Sequence, residues 1–592
     1  MSIRIKRTED NASTATERIA IQHLREDGVR KSSRPRRKWV VSGIVLAVLF
    51  VLIVVPAGFV ALAAVSLDVP RPGNINFDLT FDNFIVLLRP EVGVAFLNSL
   101  TVALVATAIA LIIGGGLAFL SARTNIPLRR FVYFVGLMPI FLPSYVGALS
   151  WAQLGSPNAG MLNIALRDLG IDPFIDLYSI GGMIFVFSMY YSPYTFLLIH
   201  SAMSMMDPDL EAAAKVHGAS TRQMLSKISF PLVLPAIVGS AMLSFVLIFE
   251  NFPVAQVLGS PGRIDTLPTF IYRLLNTSPS RGNESAAIAV LLVLVVVIVT
   301  WLQQRLIAKR SYTTVTGKGV KPSKIKLGRA RTPMFVLVLV FFALSIVMPI
   351  VSLLLTSAKT SSYMSSFADL LKPGALDISG FFQAVATPTF LDVTINSVVV
   401  SSLAALFGTV LAFAASYIVY RSKFAGRGAI ESVSMLPLAI PAVVLGMGLL
   451  WTWLVMPIPL YGTLAVLVVA FLAVQMPQGF RGISASILST DRDLEDSAVM
   501  LGASRPRAIQ AITLPLMKIS ILSTFTLLLM LSMRELTVPL FLYTYDTKIL
   551  SIAIYDSFEN GGALQTAASM SLAYTALMFV LSYIPQVLLK SK

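Results

Sequence analysis

Glu211 and Glu495 hold the same place in two polar stretches, residues 207–232 and 491–516, that align with each other without a gap. Asp207/Asp491, Asp209/Asp493, Leu210/Leu494, Ala214/Ala498, Gly218/Gly502, Ser220/Ser504, Ile228/Ile512 and Pro231/Pro515 also match. The chemistry on offer is that of a docking elbow, not of bond-making. Asp207 caps a helix with Pro208 in its first position, and acids at Asp209 and Glu211 suit the positive helix end. Gly218 takes the left-handed conformation that ends this helix. Ser220 and Gln223 then have the form of a capping box for a second short helix. In the other copy Asp496 and Ser497 stand for Ala212 and Ala213, and Arg507 for Gln223, so the box is lost. One copy alone would read as a solvated connector with ordinary caps.

Residues for other chemistry are scarce. Cysteine is absent and the three histidines are scattered, so no metal ligand set can be assigned. No G-x-x-x-x-G-K-[ST] phosphate loop occurs; Gly317-Lys318-Gly319 lacks both the upstream glycine and the following Ser or Thr. Glu250 and Glu535, with Arg534, fall at the outer ends of apolar runs. Acids in such places are candidates for a path or gate, and the alternative is that they are interfacial residues. Pro139 and Pro143 in MPIFLP recur as Pro437 and Pro441 in MLPLAIP. Prolines inside spanning helices can kink them to form a path or hinge, and packing also tolerates them.

The elements that carry these residues are membrane helices. The chain has 592 residues, 56% hydrophobic and only 13% charged, about half the charged share of a soluble protein. Its net charge of +16 does not point to nucleic acid, because the basic residues crowd into the N-terminus, the stretch 305–331 and short loops. Apolar runs fall at about 39–66, 94–121, 131–152, 181–204, 232–251 and 284–306, then at about 333–357, 393–420, 428–455, 461–480, 511–534 and 568–589. The expected organisation is a basic extension (1–38), a first half of six helices (39–306), a basic linker (307–332) and a second half of six (333–592). Arg123, Arg129, Arg130, Arg421, Lys423, Arg427 and the linker share one side, which the positive-inside rule makes cytosolic together with both termini and both elbows. Trp39 and Trp301 fall at cytosolic ends, and Trp151, Trp451 and Trp453 near outer ends, as an interfacial belt would have them. Asn98-Ser99 and Asn396-Ser397 open the second helix of each half. With an even number of spans per half, the copies run parallel.

Glu211-Ala212-Ala213, Gly218, Ile228 and Pro231, and again Glu495, Gly502, Ile512 and Pro515, resemble the EAA loop of permease subunits of binding-protein-dependent ABC importers. The likeness covers both halves and implies an all-α integral membrane protein of the MetI-like permease fold, with two parallel-repeat halves of six helices and 12 in total. It implies coupling helices built on Leu210, Glu211, Ala212, Ala213, Val216 and Gly218, and on Leu494, Glu495, Met500 and Gly502. These would dock on a cytosolic ABC ATPase dimer, the two glutamates pairing with its basic groups. It also implies an extracytoplasmic solute-binding protein and a place in the bacterial cytoplasmic membrane. ATP would be used by the partner subunit, with no cofactor on this chain and no catalysis of its own. The fused arrangement, FENFPV (249–254) and the stretch 534–555 look most like the ferric iron, thiamine and putrescine permeases, the iron branch first. Two features depart from the pattern: the second elbow lacks Ala-Ala, and Thr537-Val538-Pro539 stands where the iron branch tends to have Pro-Ala-Thr. Polyamine, thiamine or phosphonate cargo are the alternatives. An ion-coupled carrier would want mid-helix acids or histidines, which are scarce, and would leave the paired elbows unexplained.

Overall fold

A computed structural model describes residues 35–73, 75–308, 324–361, 363–559 and 564–590. Most of the basic extension, the middle of the linker with Gly317-Lys318-Gly319, and Lys592 lie outside the described residues. The described chain is helical, with three isolated backbone bridges and no strand. Among the described residues nine helical segments are long and apolar enough to cross a membrane, and three sharply bent pairs, each counted as one span, raise the number to twelve. In the first half these are α1 (Trp39–Val65), α2 (Pro90–Arg123), the pair α3 (Arg129–Ile140) and α4 (Ser144–Gly155), α5 (Ile180–Ser204), α6 (Thr221–Phe249) and α7 (Gly282–Leu306). The second half repeats them as α8 (Gly328–Ala358), α9 (Pro388–Arg421), the pair α10 (Arg427–Leu438) and α11 (Ala442–Val455), α12 (Leu464–Ser489), the pair α13 (Arg505–Leu516) and α14 (Lys518–Arg534), and α15 (Leu564–Leu581).

Proline shapes these elements. The runs at 131–152, 428–455 and 511–534, expected as single helices, are instead broken by 91°, 113° and 74°. Pro143 and Pro441 sit at the first two breaks with ψ of 134° and 145°, and a proline also pushes the residue before it out of the helical region. Four π turns, at Phe50–Val54, Leu225–Ser229, Ala343–Val347 and Ile509–Thr513, each end two residues before a proline: Pro56, Pro231, Pro349 and Pro515. A proline cannot donate to the carbonyl four residues back and its ring collides with it, so the helix widens locally.

The halves exchange their first helices. α1 packs on α11 of the second half, and α8 packs on α4 of the first. Gly448 permits the former, since a Cβ there would lie 2.3 Å from the carbonyl oxygen of Pro56. In the latter, Ser352 donates to the carbonyl of Ser150 at 3.3 Å. Within the first half α2 meets α5 closely, with Thr195 donating to the carbonyl of Ala110 at 2.8 Å. Small and hydroxyl residues are what permit such approach where lipid supplies no hydrophobic drive. Trp39 and Trp301 are exposed as an interfacial belt requires, but Trp151, Trp451 and Trp453 are buried. All three belong to α4 and α11, the inner limbs of the bent pairs, so they pack within the protein.

Candidate functional site

The two elbows have the same local construction. In the first, Asp207 Oδ1 accepts the N–H of Asp209 at 2.9 Å, and a helix runs Pro208–Val216. In the second, Asp491 Oδ1 accepts the N–H of Asp493 at 3.0 Å, and the helix is Asp493–Met500. Gly218 (φ +78°) and Gly502 (φ +94°) both turn the chain through the left-handed region. Ser220 and Gln223 form the reciprocal capping box, while Ser504 makes no side-chain cap. The second short helix of each elbow then runs through the π turn into the membrane segment.

Glu211 and Glu495 do not reach outward. Both are buried, which corrects the expectation that they meet basic groups of a partner. Glu211 forms an ion pair with Arg123, the last residue of α2, and Oε1 also accepts Ser229 Oγ at 2.9 Å. Glu495 accepts Thr513 Oγ1 at 2.5 Å and Tyr417 OH at 2.8 Å, with Arg505 Nε 3.4 Å away. Ser229 and Thr513 are aligned hydroxyls in the two copies, a signal the sequence held. The cationic partners differ: Arg123 comes from a membrane helix, whereas Arg505 belongs to the elbow itself. Arg505 also bonds Asp496, and that hydrogen bond holds the Asp496 carboxyl below its usual range. Each elbow is thus pinned to α2 or α9 by a buried carboxylate, and its tip is left bare. Val216 and Met500 are 86% and 89% exposed, and Leu210 and Leu494 about half. Ala212 and Ala213 lie on the first elbow helix, Ala213 exposed. An open groove lined by Thr221, Arg222, Leu225, Ser226 and Phe230 lies on the same elbow.

At the opposite end each half carries a pair of short helices. Glu250 follows α6 and leads into two short helices, Pro253–Gly259 and Leu267–Leu275. Glu535 follows α14 and leads into Pro539–Leu542 and Leu550–Glu559. Both segments fall between the apolar runs of the sequence, because each helix is too short to stand out as a span. Glu535 Oε1 caps the N–H groups of Thr537 and Val538 at 3.0 and 3.3 Å. In the first half Asn251 takes that role, accepting Val254 N–H at 3.0 Å and donating to Tyr191 OH at 2.6 Å.

The repeated Asn-Ser pairs now acquire a role. Asn98 Nδ2 donates to the carbonyl of Asp265 and Asn396 Nδ2 to that of Lys548, both at 3.0 Å. Ser99 Oγ accepts Leu267 N–H at 2.8 Å and Ser397 Oγ accepts Leu550 N–H at 2.6 Å. Each pair clasps a short-helix segment to its half. Between the halves, Tyr272 meets Phe541 edge-on with ring centroids 5.7 Å apart, and Gln256 donates to Glu559 at 3.4 Å. Deeper in, Tyr145 and Tyr574 approach to 6.2 Å. Pro139, Pro143 and Pro441 are buried near the bends and Pro437 is partly buried. Among the described residues no group of three or more His, Asp or Glu side chains gathers as a metal would need.

Two helical halves, each lending its first helix to the other and each carrying a pinned elbow, define a membrane protein built on an internal repeat. The family described as the binding-protein-dependent transport system inner membrane component matches residues 106–312 and 404–590, more than half of the chain, and the protein belongs to it. It is therefore a multi-pass permease subunit of a bacterial ABC importer in the inner membrane. The ferric transport system permease protein FbpB of Actinobacillus pleuropneumoniae is 24% identical over 78% of this chain and 66% of its own length. The Fe(3+)-transport system permease protein FbpB 2 of Haemophilus influenzae is 23% identical over 85% of this chain and 91% of its own. A crystal structure of a bacterial ABC transporter for alginate import aligns with 20% identity over 47% of this chain and 98% of that one, at a TM-score of 0.40.

Proposed function

We propose that this chain forms the translocation path of an importer for ferric iron, its elbows being the coupling helices for a cytosolic ATPase dimer. The observation that carries the reading is the paired elbow with its carboxylate turned inward and its apolar tip turned out. Leu210 and Val216, with Leu494 and Met500, offer two bare anchors, one for each ATPase. Glu211, Ala212, Ala213 and Gly218, and Glu495 with Gly502, give the elbows their shape and stiffness. Because α6 continues unbroken from the first elbow and α13 joins the second elbow to α14 through a 74° bend, closure of the ATPases pushes on the membrane segments and rocks the halves between inward-open and outward-open states. The bends at Pro139/Pro143 and Pro437/Pro441 and the carboxylates of Glu250 and Glu535 line the route between the halves. ATP is consumed by the partner, no cofactor sits on this chain, both termini face the cytosol, and an extracytoplasmic binding protein delivers the cargo.

Iron is favoured by the fused doublet arrangement and by the names borne by relatives that align along most of the chain. The test is co-purification followed by uptake. The tagged permease should bring down an ATPase, and cells lacking it should lose uptake of radiolabelled ferric iron but keep uptake of putrescine and thiamine. Uptake of iron at the parental rate refutes the cargo, and a permease that moves solute with no ATPase bound refutes the class of partner.

A further inference from the structure

The end of the inter-half linker is docked. Ile325 N–H donates to the carbonyl of Arg123 at 2.8 Å, and Asn125 N–H donates to the carbonyl of Ile325 at 3.2 Å. Thr124 and Ile325 thus form one parallel rung. Leu327 N–H adds a bond to Asn125 Oδ1 at 2.9 Å. The side chains alternate as a strand demands: Lys324 and Lys326 are exposed, while Ile325 and Leu327 turn toward the protein, Leu327 packing on the core. Gly328, at φ +54°, then swings the chain into α8.

The corner that receives this strap is the one that holds the first elbow. Arg129 occupies the carbonyls of Ser121 and Ala122, Thr124 Oγ1 bonds the carbonyl of Leu120 at 2.7 Å, and the strap takes the carbonyl of Arg123. Arg123 is consequently held at its main chain by the end of the linker that leads into the second half, and at its side chain by Glu211 of the elbow. The matching corner of the second half has no such rung among the described residues. There Arg421 donates to the carbonyls of Ile487 and Thr490, and Phe424 meets Trp39 of α1.

We infer that residues 324–327 are a positioning strap, in which Ile325 and Asn125 set Arg123 and thereby the stance of the first elbow. The second half governs the coupling helix of the first through three hydrogen bonds, independently of the covalent continuity of the linker. This rests on the reading of the elbows as coupling helices.

The experiment compares the permease with its ATPase in three forms. Ile325→Pro removes the donor to Arg123, and Asn125→Ala removes the acceptor for Leu327. Both should keep ATP hydrolysis while solute moved per ATP falls roughly tenfold, the size expected for losing one or two hydrogen bonds at a shared corner. A protease site inserted between residues 310 and 322 and cut after assembly should leave that ratio unchanged, since the strap stays joined to α8. A spin label at Val216→Cys, in a chain with no native cysteine, should gain mobility in Asn125→Ala and not in the nicked protein. If Asn125→Ala keeps both the ratio and the label's mobility, the strap has no positioning role; if nicking alone uncouples, the linker works as a tether. Gly218→Pro is the separate control, because an unchanged ratio there defeats the coupling reading itself.

Discussion

Arg123, at the end of α2, and Glu211, in the first elbow helix, form an ion pair with side chains only 2% and 1% exposed. Such a pair stabilises weakly relative to an apolar replacement but is costly to halve, because a buried charge is left alone. Arg123 Nε and Nη1 are buried without hydrogen bonds, so Glu211 carries most of the compensation. Glu211→Ala is expected to cost about 3–5 kcal/mol, and Arg123→Met with Glu211→Leu should recover much of it. Denaturation in detergent, run as a double-mutant cycle, measures the coupling. Additive losses would show that the two groups act separately.

The turn glycines lend themselves to a cleaner separation of stability from function. Gly218 and Gly502 have positive φ, and an added Cβ at either meets nothing within 4 Å. The cost of alanine is therefore backbone strain alone, about 1–2 kcal/mol. Proline, whose φ is fixed near −65°, cannot make the turn. Gly218→Ala or Gly502→Ala should leave the amount of protein near normal and lower uptake modestly. Gly218→Pro or Gly502→Pro should uncouple hydrolysis from transport. Normal uptake by the proline variants at normal protein levels would count against the elbow as a coupling device.

Ser99 and Ser397 test the clasps at the end away from the elbows. Replacing either by alanine strands a buried N–H, that of Leu267 or Leu550, at about 1–3 kcal/mol. The two sites lie in different halves and share no partner, so their effects should add. Hydrogen exchange should quicken at 267–275 in Ser99→Ala and at 550–559 in Ser397→Ala. Exchange that stays slow in both would mean the short-helix segments are held by packing.

The elbows were legible in sequence because a repeated polar segment stands out in an apolar chain and because its caps have residue types of narrow use. Ser220-Gln223 against Ser504-Arg507 even gave the right asymmetry in capping. The direction of Glu211 was not legible. A helix of nine residues has no apolar period strong enough to fix its facing, and Arg123 lies far away in sequence. The bent pairs failed for another reason: hydropathy reports that 131–152 and 428–455 avoid water, not that they run straight. Only the backbone around Pro143 and Pro441 shows the turn. Trp151 and Trp451 followed that error, placed at a membrane surface because their helices were taken to reach it.

Acidity should tighten the contact between the halves at the end away from the elbows. Glu559 accepts a hydrogen bond from Gln256 of the first half, and burial raises its carboxyl above the ordinary value while that bond lowers it in part. A carboxyl raised in the closed state favours closure while it is protonated. The contribution is full below the ordinary carboxylate pKa of about 4.3 and is lost as pH rises through the raised one. Spin labels at Asn276→Cys and Tyr545→Cys, exposed positions on the two outer segments, report the separation. Their mean distance should lengthen as pH climbs through that window, and Glu559→Gln should hold it short throughout. A distance that ignores pH in the parent, or still follows it in Glu559→Gln, would assign closure to the Tyr272–Phe541 contact alone.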